Sequence, residues 1–535
     1  MQILNPELLI RLSKGRCLWA GNHPPRADME DGSALYHRDS DFRLPPAMHQ
    51  AFDLVFVVEQ DLGAVKQWPL VLDEALRAIK PGGVLVLRLI ESGLLSIFQL
   101  ANAIEKWTGG RHALIDQVSE DGRFLLAVKL THEAPRAASA TDFAFALITD
   151  GRKARAVSTF VDSVLALPSE PGADAPEILI CGPACVLTDL GERARHVRLV
   201  PQPEAFSELG WITRKKNLLV EAATRENIVV AHDRYLIPAD FMARMRAFGG
   251  DFDVIAPRQT ATDGQPLPDW VTLSDDLNWS TPGWLEFGDY HPFGYVNGGV
   301  IIAKTERLRR TRWNELLFWG QAEDVDLSRR LKDVGVTPRP AREISLFSEP
   351  PRAGFVEGFE RLPWIEGFYP RSPRPDRDHV AVTGPLALAL NSTAFVRMGE
   401  PVALEGATGT PDVAGAGLIL GKGWAHGPYG AVWQGEGAPG LSLRYQGAHS
   451  DVDLTLTFRD AETAARVRSI RINGTQQPVL DRQGAVIRAA VPEESVTDSK
   501  ILHVWMTVED GPVSLSSVRL NGTPSPPSRS TRRPL

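Results

Sequence analysis

Apolar residues recur along this chain in two ways, and the change between them divides it. Up to residue 131, near-continuous apolar runs alternate with stretches whose apolar residues return every three or four positions. Phe52-Asp53-Leu54-Val55-Phe56-Val57-Val58 reads as a strand covered on both faces. Val65, Trp68, Leu72, Ala75, Leu76 and Ile79 share one face of a helix. Lys80-Pro81-Gly82-Gly83 stops that helix, because proline cannot continue it and glycine relaxes the turn. A strand at 84–87, a helix at 93–107 and a strand at 124–129 complete the pattern.

The small, polar stretch 132–141 reads as a linker. A second α/β pattern follows. Its predicted strands are 143–148, 177–183, 197–200 and 228–231. Val157, Phe160, Val161, Val164 and Leu165 form one helix face, residues 217–223 are helical in pattern, and another helix starts over 236–241. Residues 251–290, rich in Asp, Pro, Gly and Trp, read as a substrate-facing loop region. Residues 295–303 read as one strand with Gly298-Gly299 at its entry. Residues 363–378, with four prolines among Arg and Asp, form a linker or a wrapped crossing segment. From about residue 380 the period becomes two, as in Asp453-Leu454-Thr455-Leu456-Thr457-Phe458, and Asn473-Gly474 and Asn521-Gly522 mark turns. The expected architecture is therefore multidomain α/β: a Rossmann-like domain at 1–131, a second α/β domain at 142–362 and an all-β sandwich at 379–522. A Pro/Ser/Arg-rich tail at 523–535 is expected to be disordered.

Composition narrows the function classes. The net charge of -8 and the pI near 5.9 give no support to a nucleic-acid partner. An anionic small substrate would need local basic residues instead. Cys17, Cys181 and Cys185 form neither a metal-type pair of pairs nor a disulfide framework, which favours a reducing compartment. The first residues lack a basic region followed by an apolar core. No apolar run approaches the ~20 residues needed to span a bilayer. The expectation is a soluble, cytoplasmic protein, with peripheral membrane association left open.

Chemistry concentrates between residues 142 and 331. In open α/β sheets, ligands bind beyond the carboxyl ends of the strands. Thr149 and Asp150 follow the strand 143–148, and His232, Asp233 and Arg234 close the strand 228–231. Arg214, Lys215, Lys216 and Asn217 precede that strand. Further on, a helix opens near Gln321. Asp324, Leu327 and Leu331 fall on one inward stripe of it, with Asp326 pointing away. An acid at the start of an inward face must be compensated or used, because burying it alone is costly.

These signals, in this order, resemble the inverting GT-A-fold glycosyltransferases of the family-2 type over roughly 142–345. The matching residues are Lys216-Asn217, the strand 228–231 with His232-Asp233-Arg234, Gly298-Gly299, and Glu323-Asp324-Val325-Asp326-Leu327. The resemblance implies a nucleotide-sugar donor, a glycan or lipid-linked glycan acceptor, and transfer with inversion. It assigns catalysis to Asp324, as base, and Glu323. It assigns the donor to Thr149, Asp150, Arg214, Lys216, Asn217, Asp233, Arg234, Gly298 and Gly299. It implies a divalent metal, Mn or Mg, on Asp233 and His232. The usual metal motif is Asp-x-Asp. Here Arg234 stands where a second acid is often found, so either other groups complete the metal site or Arg234 partly replaces the metal.

Plainer readings stand beside these. Asp233 could cap a turn, Asp324 could serve the helix dipole, Lys215 and Lys216 could form a solvated face, and His232 could be structural. Trp211, Trp270, Trp279, Trp284 and Trp319 could be core or could stack on sugars. Trp424 and Trp433 are open in the same way, with core the commoner case.

The order of elements in 1–131 resembles the second half of a class I S-adenosylmethionine-dependent methyltransferase. The first strand, at 16–20, is followed by Gly21-Asn22-His23-Pro24-Pro25, which lacks the glycine-rich turn that lets backbone approach the cofactor. S-adenosylmethionine is not expected to bind, and the domain reads as degenerate. Two alternatives to the transferase reading remain: a methyltransferase acting on a glycan through 1–131, and a non-catalytic carbohydrate-binding protein acting through 380–522.

Overall fold

The structure is a computed structural model. It describes residues 15–364 and 396–524, apart from 22–27, 93, 121, 132–137, 169–174, 204, 209, 274–281, 292, 405–411, 414–417, 421–423, 428–429, 435–437, 446–448, 474, 493–500 and 510. Most of the linkers expected at 132–141 and 363–378, Trp279, Gly474 and the tail from 525 lie outside the described residues. The chain forms two compact units. One comprises Met1–Pro201, Arg214–Trp313 and Leu327–Asp376; the other comprises Gln202–Thr213, Asn314–Asp326 and Arg377–Leu535.

The first unit opens with a six-stranded sheet in the order β2-β1-β3-β4-β6-β5. Its strands are β1 (Cys17–Trp19), β2 (Glu30–Asp31), β3 (Phe52–Val57), β4 (Ile79–Ile90), β5 (His112–Glu120) and β6 (Arg123–Leu130). β2, β1, β3 and β4 run parallel, while β4, β6 and β5 run antiparallel. Helix α1 (Trp68–Ala78) supplies Leu72, Ala75 and Leu76 to the core, as the spacing predicts. Lys80–Gly83 do not separate helix from strand as expected. Ile79 already pairs with Phe52, and the register then jumps to Leu54 and Val84, so the Pro-Gly-Gly stretch is an irregularity within β4. Helix α2 (Ile97–Thr108) starts later than expected, where Ser96 and Gln99 close a capping box. The edge strand β5 was not foreseen, because its mostly exposed residues carry no buried alternation.

The second sheet has eight strands in the order β11-β17-β12-β16-β10-β7-β8-β9. They are β7 (Phe143–Ile148), β8 (Glu177–Cys181), β9 (Val197–Val200), β10 (Asn227–His232), β11 (Tyr235–Leu236), β12 (Val254–Ala261), β16 (Val300–Lys304) and β17 (Arg339–Ser348). β10, β7, β8 and β9 are parallel. β16 runs antiparallel to both β10 and β12. The chain begins at β7, moves outward through β8 and β9, and returns to the other side of β7 as β10. The winding therefore reverses between β7 and β10, and their carboxyl ends flank a topological switch point.

Helix α3 (Ala154–Leu165) buries Val157, Phe160, Val161 and Val164, whereas Leu165 is exposed. The helix ends at Leu165, and Leu167 takes the next core position. The strand expected at 295–303 is two strands. β15 (Gly294–Val296) joins a four-stranded sheet with β13 (Trp270–Thr272), β14 (Gly283–Leu285) and β18 (Glu360–Leu362), and β16 lies in the main sheet. Asn297 makes the break: its Oδ1 accepts from Gly299 N at 3.0 Å, and its amide donates to Pro268 O at 2.8 Å. The region 251–290 read as loop in fact holds β12, β13 and β14, two of them too short to show a period. Trp270 and Trp284 are buried there as core.

Within this unit, α1 is joined to the second sheet by buried charge. Arg339, at the start of β17, donates to Asp73 Oδ2 at 2.6 Å and to Phe42 O at 2.7 Å, and lies 3.1 Å from Glu74. Arg77 reaches Asp251 at 2.6 Å and Asp253 at 2.7 Å. Burial pushes the Glu74 carboxyl up, but Arg339, Arg43 and His49 outweigh it and hold it below the usual range.

In the second unit two antiparallel sheets share one core, as the period of two leads one to expect. One has the order β22-β23-β31-β25-β29-β28 with β19 (Val402–Ala403) beside β31, and the other β20-β21-β24-β30-β26-β27, where β20 is Asp412–Val413, β21 Leu418–Leu420, β24 Gly440–Arg444, β26 Val467–Ile472, β27 Thr475–Gln477, β28 Val479–Gln483, β29 Val486–Ala490 and β31 Val513–Pro524. Leu454 and Leu456 of β25 (His449–Phe458) and Leu502, Val504 and Met506 of β30 (Ile501–Val508) meet in that core. Trp424 and Trp433, paired across β22 (Trp424–Gly427) and β23 (Gly430–Trp433), are buried in it as well.

Replacing Arg339 by Met should leave Asp73 and Glu74 each short of one buried cation and destabilise the fold by about 3–5 kcal/mol. The urea midpoint reads this, and a change below about 1 kcal/mol would show that the network is dispensable.

Candidate active site at the switch point of the second sheet

Thr149 follows β7 and Asp233 follows β10, on the two sides of the switch point. The Thr149 hydroxyl donates to Asp233 Oδ2 at 2.9 Å. Lys153 Nζ lies 3.5 Å from Asp233 Oδ1. Asp150 is exposed and accepts from Arg152 N at 2.9 Å. Gly151 N donates to Thr149 Oγ1 at 3.0 Å, and its φ of +81° suits glycine.

The helix α4 (Ile212–Ala222) sends its two lysines to main-chain oxygens. Lys215 Nζ donates to Thr149 O and Lys216 Nζ to Gly298 O, both at 2.9 Å. Both lysines are buried, so the solvated-face reading fails. Asn217 pairs with Trp313 in both directions, donating to its O and accepting from its N, each at 2.9 Å. That makes it a buried brace of the helix, not a group presented at the strand ends. Arg214 is half-buried and acts on Cys181, whose thiol burial pushes up to about 12 against the pull of Lys215 and Arg214.

His232 N donates to Gly299 O at 3.0 Å, while its Nε2 is buried without a hydrogen-bond partner among the described residues. Burial, and then Lys216, Arg234, Lys153 and Lys215 in that order, hold this imidazole well below its usual pKa. The same four cations give the strand ends a positive surround. Arg234 lies over the rings of Tyr235 and Phe355, at 5.3 and 5.6 Å from their centroids. Gly299 is required here: a Cβ would come within 2.5 Å of the Tyr235 hydroxyl and 2.9 Å of an Arg234 nitrogen.

Glu323 and Asp324 open the helix Glu323–Asp333. Leu327 and Leu331 face the core as expected. Asp326 does not point away, however. It is fully buried, Glu323 is buried too, and Asp324 is half-buried with its Oδ1 accepting from Val325 N at 2.9 Å. The first turn is enclosed on more than one face, which a single-stripe reading misses. Of the five tryptophans left open, Trp211, Trp270 and Trp284 are core, Trp319 is exposed and Trp279 lies outside the described residues.

A divalent metal does not fit the residues present. Asp233 already accepts from Thr149 and faces the Lys153 ammonium. Among the described residues no group of three or more His, Cys, Asp or Glu side chains is placed to hold an ion. In the first sheet, Trp19 Nε1 donates to Glu59 at 2.7 Å, and a Cβ on Gly21 would meet that carboxylate at 2.0 Å. The turn after β1 is thus packed against an acid. Among the described residues no helix is long and apolar enough to cross a membrane, and none of the three cysteines forms a disulfide.

Sequence reasoning missed Lys153. Its signal was available: it is the last residue before α3, four positions after Thr149, where a side chain returns toward the strand ends.

No family model and no curated protein matches the chain. Among solved structures it is similar to S. aureus TarS 1–349, at 13% identity and a TM-score of 0.30, over 39% of this chain and 60% of that one. It is similar to S. aureus TarS, at 11% identity and 0.30, over 70% and 77%. It is also similar to GalNAc-T7 crystallised with UDP, GalNAc and Mn2+, at 11% and 0.31, over 46% and 48%. The chain thus spans about 60% of the first of these.

His232 sets an acid limit. In the unfolded chain it protonates near pH 6.5, whereas the folded site keeps it neutral. Below that pH the unfolded state binds the extra proton, so stability is lost as pH falls. The thermal midpoint of His232→Asn should decline less steeply than wild type between about pH 7 and pH 5, and parallel declines would overturn the assignment.

Proposed function

We propose that this chain is a glycosyltransferase that moves a sugar from a nucleotide-sugar donor to a glycan or polysaccharide acceptor, with inversion. The observation that carries the reading is the cation-bordered Thr149–Asp233 pair at the switch point of the second sheet. Nucleotides bind at such switch points in open α/β sheets. A diphosphate leaving group needs positive charge there, and Lys153, Lys215, Lys216 and Arg234 supply it without a metal ion.

The chemistry is a single displacement. The acceptor hydroxyl oxygen attacks the anomeric carbon, the bond from that carbon to the diphosphate oxygen breaks, and the nucleoside diphosphate leaves with the bonding pair. Asp324 takes the hydroxyl proton as general base, and Glu323 stands beside it in the sequence. Asp233 holds Thr149 and Lys153 in register with the donor. The cytoplasm is the proposed location.

Other readings have less support. The packing of Glu59 against Gly21 disfavours a bound S-adenosylmethionine. The burial of Trp424 and Trp433 removes the aromatic pair that a purely glycan-binding role would use.

Two outcomes test the proposal. Nucleotide-sugar binding, screened by thermal shift across UDP- and GDP-sugars, should persist in EDTA and weaken roughly 10- to 100-fold in Lys153→Ala, the range for one charge-assisted hydrogen bond. Strict dependence on added manganese would overturn the metal-free crevice. Asp324→Asn should bind donor normally in calorimetry yet lose about 10²–10⁴-fold in transfer rate; transfer at the wild-type rate would remove Asp324 as base.

A further inference from the structure

The segment that carries Asp324 belongs to the second unit. Gln202–Thr213 and Asn314–Asp326 group with the two antiparallel sheets. Hydrogen bonds tie the two segments together: Trp211 Nε1 donates to Glu315 O at 2.9 Å, Thr213 Oγ1 to Leu317 O at 2.6 Å, and Trp319 N to Gly210 O at 2.9 Å. Aromatic rings then join them to β30. The Trp211 ring meets His503 edge-on at 4.4 Å between centroids. Phe318 meets His503 at 5.0 Å and Trp505 at 5.2 Å, both nearly perpendicular, the geometry aromatic pairs favour.

The sheet side of this box is itself built to hold. His503 is fully buried, and its Nδ1 lies 2.7 Å from the Ser442 hydroxyl. Its backbone N donates to Asn473 Oδ1 at 2.8 Å. Burial pushes its imidazole down to about 3, so it packs as a neutral ring. Gly440 leaves room for Trp505, since a Cβ there would come within 2.6 Å of its Nε1.

The segment needs such an anchor. After Phe318 the chain turns through Gly320 at φ +77° and Ala322 at φ +57°, and the second is a left-handed conformation that L-residues disfavour. The Gln321 side chain accepts from Phe318 N at 2.8 Å and ties that turn back to the ring. Asp324 follows directly. A base must be held within fractions of an ångström of its working position, and an excursion containing two left-handed residues does not achieve this unaided.

We propose that the two-sheet unit is the platform that positions the Asp324 carboxylate, with His503 and Trp505 as positioning residues, and that it is not an independent glycan-binding appendage. This rests on Asp324 being the base.

The test uses the full chain and the variants His503→Ala, Trp505→Ala, Trp505→Phe and Phe318→Ala. The last empties the box from the segment side without altering either sheet, so it serves if a sheet variant misfolds. Amide hydrogen exchange of residues 314–326 should rise at least about tenfold in the three alanine variants, while the strands of both sheets keep their protection. Turnover at saturating donor and acceptor should fall about a hundredfold, the cost of an ångström-scale misplacement, with donor affinity unchanged. Trp505→Phe should recover most of the turnover. Unchanged exchange in 314–326 would overturn the proposal, as would full turnover despite raised exchange. If Asp324→Asn instead transfers normally, the base reading fails on its own, and the exchange result still reports whether the box anchors the segment.

Discussion

Two adjacent carboxylates, Asp73 and Glu74, are buried on α1, and the first unit is arranged to meet them. An unpaired buried charge is intolerable in a folded core, so Arg339 from β17 and Arg43 from the loop before β3 are drawn to this pair. Arg77, one turn on, is met by Asp251 and Asp253 from the segment entering β12, and Arg307 reaches Asp253 from beyond β16. The first sheet and the second therefore close over a shared set of charges.

The same sheet that is held at β12 and β17 reverses its winding between β7 and β10. There the two parallel strands stay paired through Ile148 and His232, and polar side chains follow their ends. Charge is handled in opposite ways at the two places. In the network around α1 every anion has its cations and the interior is sealed. At the switch point cations outnumber acids, with four of them acting on His232, and the proposed donor site rests on that surplus.

How far the sequence reveals this depends on the kind of signal. Strand ends were legible: Thr149 and Asp233 follow unbroken apolar runs, and polar residues there have little to do inside a sheet. Leu327 and Leu331 were legible because a helix repeats at a fixed period. Asp326 was not, because it is buried although it lies off the stripe that Leu327 and Leu331 define. Lys215 and Lys216 looked like surface residues, since nothing local announces that their carbonyl partners lie 66 and 82 residues away, beside the ends of strands. Asn297 breaks a strand through its own side chain, a choice between two hydrogen-bond partners that periodicity does not register. The edge strand β5 has too few buried positions to alternate.

Lys215 and Lys216 carry one consequence further. Their ammonium groups are held by carbonyl oxygens, which every residue type possesses, and not by acidic side chains. Positive potential at this end of the sheet is thus indifferent to the identity of the residues that anchor it. Over evolutionary time the neighbouring positions can drift widely, provided the main chain keeps its course, and related chains can share this crevice while showing little common sequence around it.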